Sequence, residues 1–226
     1  MASLLRRSLA EALGTFALVF IGAGSAASKF FPESNYGLLG VAIAHGLVLA
    51  VMITATLNIS GGYLNPAVTL GLLAARRTDL KTAMAYIVAQ LAGAMVAAAA
   101  LKALYPTGVM RTISLGTPRL ATSLTVGPAI GIEAILTFFL VSAVWGTCVN
   151  PDAPKLGGLG VGLALLFGML VGGPLTGAAM NPARAFGPAF VAGEWVAQGV
   201  YWIGPIVGGV LAALLWEYVL LPKRRA

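Results

Sequence analysis

Charge is what this sequence has least of. Only 9% of its 226 residues are Asp, Glu, Lys or Arg, against about 25% in an ordinary soluble domain. A water-soluble fold of this length could not hide so much apolar surface, so the solvent must be a bilayer. One cysteine, Cys148, excludes an internal disulfide; lying in an apolar stretch, it reads as a small packed residue. One histidine, His45, and two isolated carboxylates in apolar runs, Glu11 and Glu133, offer neither a metal cluster nor a nucleophile–base pair. These absences argue against an enzyme, and no metal or cofactor is expected. Acidic residues number seven against 14 basic ones, a net charge of +7. In a soluble chain that excess would suggest nucleic acid. Here Lys and Arg at the ends of membrane spans account for it, and no nucleic-acid partner is expected.

What is present is apolar: 59% hydrophobic residues and a mean hydropathy of +0.92. After Met1-Ala-Ser-Leu-Leu-Arg6-Arg7 comes a long apolar run without a small-residue cleavage site, which reads as a retained first span, not a signal peptide. Apolar segments at roughly 8–28, 37–57, 82–104, 127–148, 157–174 and 197–221 each approach the ~20 residues a spanning helix needs. Two further segments, about 60–75 and 176–192, are too short and too interrupted to span. Each joins Gly, an Asn-Pro pair and a brief apolar run. Taken singly, they could equally be surface loops.

Repetition tips that balance. Asn65-Pro66-Ala67 recurs as Asn181-Pro182-Ala183, 116 residues on, and the same offset carries Ser60 onto Thr176, Gly61 onto Gly177 and Gly71 onto Gly187. Upstream, Glu11 and Glu133 sit 122 apart; downstream, Tyr86 and Tyr201 follow their Asn by 21 and 20 residues. Residues 1–226 thus read as one domain of two repeats, about 8–104 and 127–221. An odd number of spans separates the motifs, so the second copy enters from the opposite face. Paired, Gly/Pro-interrupted segments in inverted repeats point to a site at the midplane. Pro suits the first position of a helix, so each motif reads as the start of a half-helix, the two meeting head to head. With the N-terminus cytoplasmic, that side holds Arg6, Arg7, Arg76, Arg77, Lys81, Lys155, Lys223, Arg224 and Arg225; the other holds Lys29, Lys102, Arg111, Arg119 and Arg184. Nine against five favours both termini inside.

Ser60-Gly-Gly-Tyr-Leu-Asn65-Pro-Ala-Val-Thr69 and Asn181-Pro-Ala-Arg184 resemble the signatures of the aquaporin (major intrinsic protein) family, over essentially the whole chain. Ala89-Gln90 and Tyr201-Trp-Ile-Gly-Pro205 add to the likeness. Ile43-Ala-His45 and Gly173-Pro174 to Pro188 resemble the tonoplast-intrinsic and ammonia-permeable branch most. The resemblance implies an all-α fold of six transmembrane helices plus two re-entrant half-helices, and a homotetramer with one pore per subunit. It also implies a multi-pass location, in the plasma membrane if the source is prokaryotic.

The expected chemistry follows. Asn65 and Asn181 would cap their half-helices and also offer amide donors to a passing water, turning its oxygen toward both. Two helix N-termini, each near +0.5 charge, would oppose protons and cations but not neutral water. Arg184, directly after the second motif, lies too deep for a snorkelling anchor and reads as a fixed donor and cation barrier. Matched to the family, the selectivity filter would be His45, Met169, Ala178 and Arg184. His45 has a packed structural role as its alternative, and Met169 an ordinary packing role. Glu11 and Glu133 read as acceptors for backbone N–H groups of the re-entrant loops, with a transporter's proton relay as the alternative. Water and small neutral solutes are the expected partners. Ala185 after the arginine, with no aromatic at two filter positions, favours water over glycerol and leaves room for ammonia or hydrogen peroxide. A glycerol facilitator and a coupled transporter are the competing readings.

Overall fold

The computed structural model describes residues 2–34 and 36–221. Lys223, Arg224 and Arg225, which entered the count of basic residues, lie outside them. The described residues form helices α1 (Leu4–Ser28), α2 (Gly37–Ser60), α3 (Pro66–Ala74), α4 (Leu80–Leu104), α5 (Thr107–Thr112), α6 (Val126–Val144), α7 (Leu159–Thr176), α8 (Pro182–Ala192) and α9 (Val200–Leu215). Two of them continue as wider π-helical turns, α6 through Trp145–Val149 and α9 through Trp216–Leu220. Six of these stretches are long and apolar enough to cross a membrane, and α3 and α8 are not.

The ends of the helices depart from the hydropathy reading where capping, not hydropathy, decides. α1 starts at Leu4, not residue 8, because the Ser3 hydroxyl accepts from the Arg6 N–H and so begins the helix beneath the arginines. α2 runs on to Ser60 and stops at Gly61, which takes φ +94°; α7 likewise runs past 174 to Thr176 and stops at Gly177, φ +80°. A left-handed residue closes a helix, and glycine reaches it without a Cβ clash. The half-helices begin at Pro66 and Pro182, inside the broader segments expected.

Small residues let the helices approach. A side chain at Gly93 would collide with the Ala12 carbonyl, and one at Gly208 with that of Ala134. These two collisions tie α1 to α4 and α6 to α9, equivalent pairs in the two repeats. Between the repeats, α2 meets α7 where a Cβ at Gly46 would fall 2.6 Å from the Gly162 carbonyl. Apolar association gains little from hydrophobicity when lipid is the alternative, so close backbone packing carries it. The half-helices cross over: α3 rests on α9, with Gly71 beneath Gly209, and α8 rests on α4, with Gly187 against Ala94. Each short helix is therefore held by the other repeat. Outward faces carry Val51, Val88, Val96, Ile135, Phe139 and Val171, all exposed.

Candidate functional site: the meeting point of two half-helices

Two carboxylates build the loops that precede α3 and α8. Glu11 Oε1 accepts from the Ser60 hydroxyl (2.5 Å) and the Tyr63 N–H (3.0 Å); Oε2 accepts from the Leu64 N–H (2.6 Å) and the Gln90 amide (2.8 Å). Glu133 repeats the pattern in the second repeat, 122 residues on. Its Oε1 takes the Thr176 hydroxyl (2.6 Å) and the Ala179 N–H (3.0 Å), and Oε2 takes the Met180 N–H (2.8 Å). Ser60 and Thr176 accept in turn from the N–H of Gly62 and Ala178. Tyr86 and Tyr201 donate their hydroxyls to the carbonyls of Ser60 and Thr176, each at 2.8 Å. The symmetry breaks at one point. Gln90 also bonds Thr69, whereas the residue four past Asn181, where Thr69 would recur, is Ala185.

Each loop then serves the other. Asn65 accepts from the Ala67 N–H (2.8 Å) and donates through its amide to the Met180 carbonyl (2.8 Å). Asn181 accepts from the N–H of Ala183 and Arg184 and donates to the Leu64 carbonyl (2.9 Å). Leu64 and Met180 are left-handed, φ +51° and +49°, a conformation costing non-glycine residues about 1–3 kcal/mol. It is held because each gives its N–H to its own repeat's glutamate and its C=O to the other repeat's asparagine. An amide nitrogen has two hydrogens, so each Asn keeps one donor beyond this swap.

Asn65, Asn181, His45 and Arg184 all line one cavity, whose wall is otherwise mostly apolar, with Leu49, Ile53, Val68, Val144 and Leu165. Its empty space is about 400 Å³, but only about 10 Å³ admits the centre of a water-sized sphere. That leaves room for about one water at the constriction. Beyond His45 and Arg184 it opens into a recess where about 240 Å³ is accessible by the same measure, lined also by Met169, Gly116, Thr117 and Arg119.

At the neck, His45 Nδ1 lies 2.8 Å from the Val41 carbonyl and Nε2 lies 3.5 Å from Arg184 Nη2. A carbonyl only accepts and a guanidinium only donates. The pattern is met by the neutral ring with its proton on Nδ1. A side chain at Gly22 would overlap the ring. Arg184 Nη1 donates to the Gly116 carbonyl (2.8 Å), while its Nε is buried without a partner. Met169 is buried in the main core cluster and also reaches the recess wall. Ala178 is buried at φ +46° and lines neither cavity. The structure thus gathers His45, Met169 and Arg184 and leaves Ala178 behind them. Among the described residues, no cluster of three or more His, Cys, Asp or Glu could hold a metal.

Gly116, Gly22 and the loop around Ser114 carry no motif, so sequence reasoning missed them. Ser114 accepts from Arg119 and donates to Glu194 (3.3 Å), and Arg119 pairs with Glu194 at 3.1 Å. This surface triad ties the loop bearing the Gly116 carbonyl to the end of α8, the helix bearing Arg184. Glu194→Ala is expected to keep water flux near wild type and to raise proton leak several-fold, read with a pH dye in vesicles. An unchanged leak would mean that Gly116 holds Arg184 unaided.

The Major intrinsic protein family profile matches residues 1–216. The chain is 44% identical to aquaporin TIP4-4 of Zea mays, over 98% of this chain and 89% of that one. It is 40% identical to the probable aquaporin TIP3-2 of Arabidopsis thaliana, over 97% and 85%. The X-ray structure of the aquaglyceroporin from Plasmodium falciparum superposes with a TM-score of 0.86 at 27% identity, covering 96% of this chain and 97% of that one.

Proposed function

This chain belongs to the major intrinsic protein family, the aquaporins, and we propose that it works as a water-selective member in which Asn65, Asn181, His45 and Arg184 exclude ions and set solute choice. It is a multi-pass membrane channel that conducts water passively, as aquaporins do. The observation that carries the finer reading is the reciprocal bond between the two asparagines and the opposite loops. It leaves one amide donor on each side of a constriction with room for about one water. A water oxygen accepting from both cannot also accept from its neighbours, so the proton wire reverses there. Two helix N-termini converging at that point add a positive field, and Arg184 a full charge. In this reading Pro66, Ala67, Pro182 and Ala183 fix the half-helix starts, Met169 packs the recess wall and Ala178 fills the space behind it. Residues 1–226 act as one domain of two inverted repeats.

Four subunits, each with its own pore, form the working assembly, and both termini face the cytoplasm. The likeness to TIP-type relatives supports a tonoplast-type membrane, with the plasma membrane as the location in a prokaryotic cell. Stopped-flow light scattering on proteoliposomes is the test. A channel gives a low activation energy and no dependence on an ion gradient. A high activation energy, or flux driven by an ion gradient, would favour a coupled transporter.

The His45 ring supports side permeability to ammonia or hydrogen peroxide, with little to glycerol. It is smaller than a phenyl ring, and it places a nitrogen across the neck from Arg184, so a polar solute stripped of water meets partners on both walls. His45→Phe should retain appreciable water flow and lower the ratio of ammonia or peroxide permeability to water permeability by about tenfold, the effect of about 1.4 kcal/mol. An unchanged ratio would make His45 incidental to selectivity.

A further inference from the structure

On the side where the chain begins, a second recess lies apart from the water file. It is bounded by the first turns of α1, the connection from α3 to α4, and the start of α4. It is shallow and open to solvent, with a volume of about 410 Å³. Its wall is mostly polar and brings together Arg7, Arg76, Arg77, Asp79, Tyr63 and Tyr86.

The charges in this wall do not cancel. Arg77 is committed to Glu217, Nε to Oε2 at 2.8 Å. Asp79 is committed to the start of α4, accepting from the Thr82 N–H (2.9 Å) and hydroxyl (2.7 Å). Among the described residues, neither Arg7 nor Arg76 makes an ion pair. Arg7 Nε is buried and bonds nothing, a donor whose desolvation is uncompensated. Arg76 is exposed and closes α3 in a left-handed turn at φ +56°, its N–H and that of Arg77 bonding back to the carbonyls of Leu73 and Leu72. Two arginines in one wall without an ion pair, one of them with an orphaned buried donor, describe a site short of an anion. The planar guanidinium fork matches the oxygens of a phosphate better than those of a monatomic ion.

We propose that this recess binds a phosphate group, as a free phosphate ester or as a lipid headgroup, between Arg7 and Arg76. Occupancy reaches the pore through two tyrosines. Tyr63 lines both this recess and the water file, and its N–H is held by Glu11. Tyr86 donates to the Ser60 carbonyl, and the Ser60 hydroxyl donates to Glu11. A phosphate seated here braces the loop that carries Asn65. The proposal is independent of which side is cytoplasmic and of which solutes pass.

The test uses the full-length protein in detergent and measures its thermal midpoint. The probes are inorganic phosphate and a short-chain phosphatidylinositol phosphate, each against chloride of equal ionic strength. Binding to the folded state raises the midpoint by mass action. A rise of about 3 °C or more is expected in wild type and not in the Arg7→Gln/Arg76→Gln double variant. A rise with inorganic phosphate identifies a soluble ester as sufficient; a rise with the lipid alone identifies a headgroup. Should the double variant fold poorly, Asp79→Asn takes its place. Asn still caps a helix but removes the opposing charge, so phosphate should bind this variant several-fold more tightly than wild type. No rise with either probe, a rise that persists in the double variant, or binding to Asp79→Asn no tighter than to wild type would each overturn the proposal.

Discussion

Arg184→Val should admit protons and small cations to vesicles that the wild type keeps tight, while water still flows. Arg184 is 7% exposed and makes no ion pair among the described residues; its hydrogen-bond partners are the Gly116 carbonyl and His45, and Glu133 attracts it only at longer range. A full charge in a low-dielectric neck acts over several ångströms with little screening. Removing a barrier of about 1.4–2.8 kcal/mol raises ion passage about 10- to 100-fold. Valine also removes the restraint on the Gly116 loop and widens the neck, so the solute ratio should rise as well. Arg184→Lys separates the two causes. It keeps the charge but not the fork that reaches Gly116 and His45 together, so it should stay tighter to protons than valine while losing solute discrimination. Vesicles of the valine variant that remain as proton-tight as wild type would move the barrier to the half-helix N-termini.

The second large effect is expected on stability. Glu11 is fully buried and accepts four hydrogen bonds, two on each carboxylate oxygen. Glu11→Ala strands the N–H groups of Tyr63 and Leu64, the Ser60 hydroxyl and the Gln90 amide. Each stranded buried donor costs about 1–3 kcal/mol, so a loss of at least 3 kcal/mol is expected after partial relaxation. Glu11→Gln keeps one acceptor oxygen and should cost clearly less. Glu133→Ala strands three donors in place of four and should fall between them, a ranking that follows from Gln90 having no counterpart. Thermal midpoints and tetramer yield in detergent give the order. A proton relay predicts otherwise: folded Ala variants of wild-type stability, with transport lost and made pH-dependent.

Much of this was legible in the chain. The near absence of charge forced a bilayer, six apolar runs marked the spans, and the offset between the Asn-Pro-Ala copies marked the inversion. Those signals survive in sequence because they are local or periodic: a spanning helix must be apolar along its length, and a half-helix start needs its Asn and Pro adjacent. Glu11 and Glu133 were visible for a related reason, since a carboxylate in an apolar run needs an explanation. The loop holding Arg184 was not visible. Gly116 contributes a carbonyl, which every residue has, and its value lies only in where the backbone puts it. Gly22 contributes empty space. Ala178 is missing from both cavity walls, while its neighbours Gly177 and Ala179 each line one.

The sequence by itself determined the solvent, the number of crossings, the repeat and the residues that begin the half-helices, because hydropathy and capping act over a few consecutive residues. Only the tertiary structure decided that α3 rests on the second repeat and α8 on the first, and that each asparagine donates to the other repeat's loop. It also set the contact between His45 and Arg184, which the family resemblance had assigned to one filter, at 3.5 Å across 139 positions of chain. Those outcomes depend on helices approaching to backbone distance at Gly46, Gly93 and Gly208, and on buried donors in each loop finding acceptors that only the opposite repeat supplies.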